Sequence, residues 1–482
     1  MNVTLVNPPY TFWRPGAEPL GALLGHSPPL GLLSLAAYVR EHVPEAVLKI
    51  IDAPAHDLSC EATVGRVVES VPDVVGITMT TTAAPNAEAI ALAVKARCPQ
   101  AIVVVGGPHV SGAGQAALPP SGAFDLAVVG EGEETFRDLL ERLRDGRPTA
   151  DTPGILFRDA EGVVRSTPRR PPVADLDSLP PPAFDLLAGF PRAYPPNAFF
   201  SPGEPAGTLS TSRGCPFRCA FCDQSTFGHT FRALSPATIA AAIERLRADY
   251  GIRYLIFYDD TFTLDRRRVL ELCELLGDLP RRIPWSCDAN VATVDPEMLQ
   301  AMKRAGCWSI SYGLESGSRR VLQSLNKGID PDRAREVVHA TRAAGIRARG
   351  LFIFGTPEES AESVRETRAF MRSLPLTTAN ISKFTPYPGS ELHAQVAHLL
   401  NGQAEQLNGM NFVVPSKHLS LEELEREYYL TVRHFYARLG TCLTHLSIMF
   451  GRWRKARRVL AAVPGLVRAG CRAHRHHSRG VS

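Results

Sequence analysis

The strongest constraint on this chain is a pattern that occurs twice. Short, fully apolar, β-branched runs alternate with amphipathic helical stretches. In the first part the runs fall at residues 3–6, 48–51, 74–78, 102–105 and 126–129, with helical spacing at 32–40, 87–98 and 135–143. Strands that are apolar on both faces imply a parallel sheet covered on both sides by helices. The turns after these strands are Asn7-Pro8-Pro9, Gly106-Gly107-Pro108 and Gly130-Glu131-Gly132. A doubly wound sheet opens its ligand crevice at those carboxyl ends.

The second block reads as strands at 209–211, 254–258, 285–287, 309–312, 351–354 and 380–383, with helices at 236–250, 266–276, 296–305 and 331–344. Six such units fit a partial (β/α)6 TIM-type barrel. The chain is therefore expected to be α/β. Residues 1–150 form a Rossmann-like domain and 151–205 a connector dense in proline, with Pro171-Pro172 and Pro180-Pro181-Pro182. Residues 206–400 form the barrel and 401–482 a helical section. Ser420 followed by Glu423 predicts a capping box there.

The net charge of +4 is unevenly placed, because no Asp or Glu follows Glu427. The stretch 449–460, with Trp453 among arginines, has the composition of a basic amphipathic helix that can lie on an anionic membrane surface, and equally that of a solvated, partly disordered tail. Aromatic stacking positions are too scarce there for a nucleic-acid partner to be expected. The start, MNVTLVNPPY, lacks a basic leader, and no apolar run is long enough to span a bilayer. Ten scattered cysteines suit a reducing compartment. The expected location is cytoplasmic, with the tail offering attachment at the inner membrane face.

Three cysteines stand apart from the rest: Cys215, Cys219 and Cys222, in Ser212-Arg213-Gly214-Cys215-Pro216-Phe217-Arg218-Cys219-Ala220-Phe221-Cys222-Asp223. Spaced C-x-x-x-C-x-x-C on one loop after a strand, three thiolates can hold a small inorganic cluster. Three ligands on a four-iron cluster leave one iron open, as catalytic metal sites require. The competing assignment is a structural zinc site completed by Asp223 or His229. Cys273, Cys287 and Cys307 read as small buried hydrophobes.

This trio, with Phe221 before its third cysteine, resembles the radical S-adenosylmethionine (SAM) superfamily. Four later segments resemble that family's SAM contacts in order: Tyr258-Asp259-Asp260-Thr261-Phe262, Tyr312-Gly313-Leu314-Glu315-Ser316-Gly317, Ile353-Phe354-Gly355-Thr356-Pro357-Glu358 and Phe384-Thr385-Pro386-Tyr387-Pro388-Gly389. The resemblance implies a [4Fe-4S] cluster on the three cysteines. It places SAM against Phe221, Asp260, Glu315, Ile353, Gly355 and Glu358.

The first domain resembles the cobalamin-binding domain of one branch of that superfamily. The residues that carry the likeness are Asn7, Pro8, Leu30, Gly31, Thr78, Thr80, Gly106, Gly107, His109, Gly130, Glu131 and Gly132. Glycines let backbone approach a flat macrocycle, and threonine hydroxyls can bond its buried base. The D-x-H-x-x-G segment that supplies a lower axial histidine elsewhere is absent, as is the G-x-G-x-x-G of a dinucleotide site.

The resemblance implies reductive cleavage of SAM to a 5′-deoxyadenosyl radical and, with cobalamin, methylation of an unactivated carbon of a natural-product or lipid-like substrate. The electron would come from a low-potential donor such as flavodoxin or ferredoxin. Two other readings stand beside it. One is oxidative cyclisation or rearrangement, as in anaerobic magnesium-protoporphyrin monomethyl ester cyclases. The other is a cobalamin or iron–sulfur sensor without turnover. A second cysteine trio, expected of a methylthiotransferase, is missing from the N-terminal block.

Overall fold

The computed structural model describes residues 1–10, 25–198, 200–279, 282–400, 406–438 and 440. The first sheet contains β1 (Asn2–Asn7), β2 (Val47–Asp52), β3 (Val74–Thr78), β4 (Ile102–Gly106), β5 (Leu126–Val128), β6 (Ile155–Arg158) and β7 (Val164–Ser166), in the order β2-β1-β3-β4-β5-β6-β7. The first five pair in parallel. Strands β6 and β7 add an antiparallel edge, so the hairpin at the start of the proline-dense stretch belongs to this sheet.

Alternation sends Leu5 of β1 into one core with Leu33 and Phe136, and Val6 into another with Val67 and Ile90. Helices Leu30–His42 and Glu133–Arg144 cover the first face, and Cys60–Val68 and Ala84–Arg97 the second. Helix Cys60–Val68, absent from the sequence reading, is announced by Ser59, whose hydroxyl accepts from Ala62 N at 3.1 Å. Strand order reverses at β1, which places the crevice between β1 and β3.

The second sheet is built from β8 (Ala206–Leu209), β11 (Tyr254–Phe257), β12 (Trp285–Ala289), β13 (Cys307–Glu315), β14 (Arg347–Phe354) and β15 (Thr378–Lys383). A small antiparallel pair, β9 (Ser212–Arg213) and β10 (Arg232–Ala233), lies beside it. The six strands run in parallel and in chain order from β8 to β15. They form an open barrel, since the two end strands do not pair.

Its outer helices start at side-chain caps that the sequence supplies after each strand: Ser235, Asp265, Asp295, Asp330 and Ser360. Proline follows the cap at 236, 296 and 331, where its fixed φ suits the first turn. The strand expected at 209–211 lies three residues earlier. Asp259 draws the chain out of the sheet by accepting from Thr211 N and Thr211 Oγ1, both at 2.5 Å, and from Ser212 N at 3.2 Å.

The barrel's exposed edge is managed by helix Leu421–Tyr436. Tyr428 Oη donates to Ile381 O at 3.1 Å and Tyr436 Oη to Ala379 O at 2.5 Å, which occupies carbonyls of β15. The expected capping box is present, with Glu423 Oε2 accepting from Ser420 N at 2.9 Å. The basic stretch 449–460 lies outside the described residues. Among the described residues no helix is long and apolar enough to cross a membrane.

Candidate functional site

The cysteine loop is the excursion between β9 and β10, and three hydrogen bonds pin it to two other segments. Ala220 N donates to Leu325 O at 2.9 Å, Asn326 Nδ2 to Arg218 O at 2.7 Å, and Leu392 N to Ala220 O at 2.9 Å. Cys215 is buried, and Cys219 and Cys222 are partly exposed; all three are free thiols. Cys215 Sγ lies 3.8 Å from Thr261 Oγ1, and Gln224 Nε2 donates to Cys222 Sγ at 3.3 Å.

Burial pushes the Cys222 thiol up to about 12, with Asp260 and Cys219 adding to the shift. Burial also raises Cys219, against the attraction of Lys327. Thiolates here therefore need positive charge from outside the chain, which bound iron provides. Among the described residues no three His, Cys, Asp or Glu side chains converge on a single ion. Asp223 Oδ1 accepts from Ser225 N at 2.8 Å and from Ser225 Oγ at 2.5 Å, and His229 Nδ1 sits 3.3 Å from Cys215 O. The donor set fits a cluster that takes one thiolate per corner better than a zinc ion.

Three of the residues expected at SAM flank this loop: Asp260 acts on Cys222, Glu315 acts on Cys219, and Phe221 lies between those two cysteines. Asp260 lies three residues beyond β11 and lines the cleft; burial, with Asp259 beside it, raises its pKa. No hydrogen bond to that carboxyl occurs among the described residues, which leaves it to receive an ammonium group. Glu315 is buried at φ +58°, a strained conformation for a non-glycine residue. It receives Lys327 Nζ at 2.7 Å, and the same ammonium lies 5.6 Å from the centroid of the Phe221 ring.

Phe221 and Ile353 line a cavity of about 560 Å³ at the barrel mouth, with Tyr10, His26 and Tyr387 opposite. Gly355 turns β14 into its loop and donates from N to Glu359 Oε2 at 3.2 Å. Glu358 is not brought to this group, because it pairs with Lys417 on the outside. The buried acid of that segment is Glu359, which also accepts from Ser363 Oγ at 2.6 Å. Glu359 serves the turn rather than the cavity.

The switch-point crevice holds a second cavity, about 410 Å³, whose walls come from both domains. Gly31, Thr78, Gly106, Gly107, Gly130, Glu131 and Gly132 line it from the first sheet, and Arg213, Gln224, Phe227 and Asp260 from the second. Gly107 has φ +107°, and a side chain there would meet Met79 O and Thr78 Oγ1 at 3.0 Å. This backbone-walled, largely apolar cradle fits the flat body or base of a corrinoid.

The remaining expected contacts lie off it. Asn7 Nδ2 donates to Asp52 Oδ1 at 2.8 Å, Thr80 Oγ1 meets Thr82 Oγ1 at 3.1 Å, and His109 Nδ1 faces Thr81 Oγ1 at 3.1 Å. Burial holds His109 below its ordinary value, although Asp223 acts the other way. Pro8 and Leu30 are likewise absent from the wall.

Glu131 does more than line the cleft. It receives Arg213 at 3.0 Å and Arg232 at 2.5 Å, while Glu133 receives Arg213 at 2.6 Å and Ser34 Oγ at 2.8 Å. Burial works to raise Glu133, but Arg213 more than offsets it and holds the carboxyl below its usual range. This buried network fastens the first domain to the strand that leads into the cysteine loop. Gly112 permits a second close approach, since a Cβ there would lie 2.3 Å from Pro388 O.

Sequence reasoning missed Lys327, Gln224 and Arg213 as parts of the site. Only adjacency to the cysteine motif could have flagged Gln224 and Arg213. Lys327 follows helix Arg319–Ser324, which had not been read from the sequence.

Comparison with known proteins agrees with this geometry. The sequence model described as Radical SAM superfamily matches residues 209–371, and that of the B12 binding domain matches residues 20–140. An uncharacterized methyltransferase of Pyrococcus horikoshii is 34% identical over 415 residues, covering 85% of this chain and 88% of its own. The anaerobic magnesium-protoporphyrin IX monomethyl ester cyclase of Rubrivivax gelatinosus is 28% identical over 420 residues, covering 86% and 73%. Among solved structures, the cobalamin-dependent SAM radical enzyme OxsB superposes with a TM-score of 0.66 at 21% identity, over 90% of this chain and 61% of that one. At that identity the likeness is one of fold.

An open six-stranded barrel with a three-cysteine loop, preceded by a doubly wound domain, defines a cluster-bearing radical enzyme with a second cofactor domain. The chain belongs to the radical SAM superfamily, in the branch that carries an N-terminal B12-binding domain. The cofactors of this class are a [4Fe-4S] cluster, SAM and cobalamin.

Proposed function

We propose that this protein is a cobalamin-dependent methyltransferase that alkylates an unactivated carbon of a small molecule. One observation carries the reading. The glycine-walled cleft of the first domain opens onto Gln224 and Asp260, so the corrinoid site and the cysteine loop share a single space. When bound, the cluster and SAM supply a hydrogen-abstracting radical, and cobalamin carries the methyl group.

In this reading Cys215, Cys219 and Cys222 hold the cluster. Asp260 holds the ammonium of SAM, and Phe221 and Ile353 form the apolar wall beside it. Lys327 holds Glu315 in place under that wall through their ion pair. Arg213 and Glu131 fix the distance between the two cofactor sites. The electron comes from a low-potential donor such as flavodoxin or ferredoxin.

The test is anaerobic reconstitution with cobalamin, SAM and reductant, followed by mass spectrometry. S-adenosylhomocysteine formed together with 5′-deoxyadenosine is the expected outcome. The similarity to the R. gelatinosus cyclase keeps one rival open, and 5′-deoxyadenosine alone would favour that oxidative reading. Replacing any one of Cys215, Cys219 or Cys222 by Ala should abolish iron binding and SAM cleavage together. Normal cleavage by such a variant removes that cysteine as a ligand.

A further inference from the structure

The lumen of the barrel differs from what a parallel barrel ordinarily packs inside. Closed barrels fill their interior with layers of Val, Ile and Leu. Here the register aligns Asp288 of β12 with Ser311 of β13 and Ser311 with Arg349 of β14, while one rung lower Ser286, Ser309 and Arg347 stand in line. Asp288, Ser286, Ser309, Ser311 and Arg349 face a cavity of about 190 Å³ that ends at Tyr258, two residues before Asp260.

Two arginines stand on this side of β14, Arg349 on the cavity wall and Arg347 one rung below it. Arg349 stacks on the Phe200 ring at 4.1 Å and Arg347 on the Trp308 ring at 4.6 Å. Among the described residues neither guanidinium makes an ion pair or a hydrogen bond, and Arg349 Nε is sealed from solvent without an acceptor. The acid that lines the same cavity, Asp288, has its pKa raised by burial, although Arg349 attracts its charged form. A guanidinium N–H that is sealed from water without an acceptor is costly unless an acceptor such as an anion joins it.

We propose that the lumen floor is an oxyanion subsite, in which Arg349, with the hydroxyls of Ser309 and Ser311, takes the carboxylate or phosphate end of the substrate. Strand β14 gives the scale. From Arg349 to Ile353 at the barrel mouth is four residues, about 13 Å at roughly 3.3 Å per residue. The substrate class is therefore a small polar metabolite with an acidic end, rather than a lipid. This deepens, and rests on, the functional reading above.

The test follows thermal melting of the reconstituted full-length protein with inorganic phosphate and, separately, with acetate, at ionic strength held constant with chloride. A saturable rise in the melting midpoint is expected with at least one of them. Phosphate alone identifies a phosphorylated end and acetate alone a carboxylated one. Arg349→Gln should weaken that binding about tenfold or more, and Arg349→Lys should fall between the two. Where Arg349→Gln does not fold, Ser311→Ala replaces it, with a smaller loss expected.

A wild-type protein with no saturable rise for either anion overturns the proposal, as does a Gln variant that binds as the wild type does. Melting needs no turnover. Absence of S-adenosylhomocysteine would therefore sink the methyl-transfer reading, an outcome distinct from a melting midpoint that neither anion raises.

Discussion

The two sheets of this protein solve opposite problems with the same architecture. In the first, the cleft at the strand ends is walled by backbone, at Gly31, Gly106, Gly107, Gly130 and Gly132. In the second, the space inside the strands is walled by side chains, among them Ser286, Asp288, Ser311 and Arg349. A large flat cofactor needs room and close approach, which the missing Cβ of glycine provides. A small substrate needs selection, which placed donors and charges provide. The difference separates a site that accommodates from a site that discriminates.

That contrast can be broken most decisively at Gly107. A valine there meets Met79 O and Thr78 Oγ1 and must also take a positive φ. Gly107→Val should lose cobalamin on purification while keeping cluster iron, as read by visible absorption and iron assay. Retention of cobalamin would show that the cleft is not the corrinoid site.

Next in size is the joint between the sheets. Arg213→Met leaves Glu133 with only Ser34 and removes one partner of Glu131 in a buried network. Breaking such a network costs about 3–5 kcal/mol. Chemical denaturation should report that loss, and a change under about 1 kcal/mol would mean that the domains are held elsewhere.

The smallest effect concerns the end of β14. Burial pushes Glu359 up to about 7. The native state thus holds a proton that the unfolded chain releases in the ordinary Glu range. Its stabilising contribution is complete at low pH and is lost as pH rises through about 7. Glu359→Gln should flatten that decline and gain up to about 3 kcal/mol near pH 8. Hydrogen exchange should localise the gain to β14 and helix Ala361–Ser373, with the first sheet unchanged. An identical pH profile in the variant would show that Glu359 does not titrate in this range.

Much of this was written locally. The periodicity of the apolar runs determined two parallel sheets, because a strand buried on both faces leaves few other arrangements. Apolar periodicity announced the helices at 236–250 and 296–305, Ser420 with Glu423 announced a capping box, and the spacing of Cys215, Cys219 and Cys222 announced a metal-binding loop, because each acts over a few residues. Assignments that depended on which way a side chain points were less secure. Adjacent acids took opposite roles at Asp259 and Asp260, and again at Glu358 and Glu359, since successive residues around a strand end face different surroundings.

Tertiary structure alone decided the rest. It carried Lys327 to Glu315, Arg213 to Glu131 and Glu133, and Arg349 into a polar lumen. These pairings join residues from a dozen to some eighty positions apart, or align three strands by register, and no local pattern encodes a meeting of that kind.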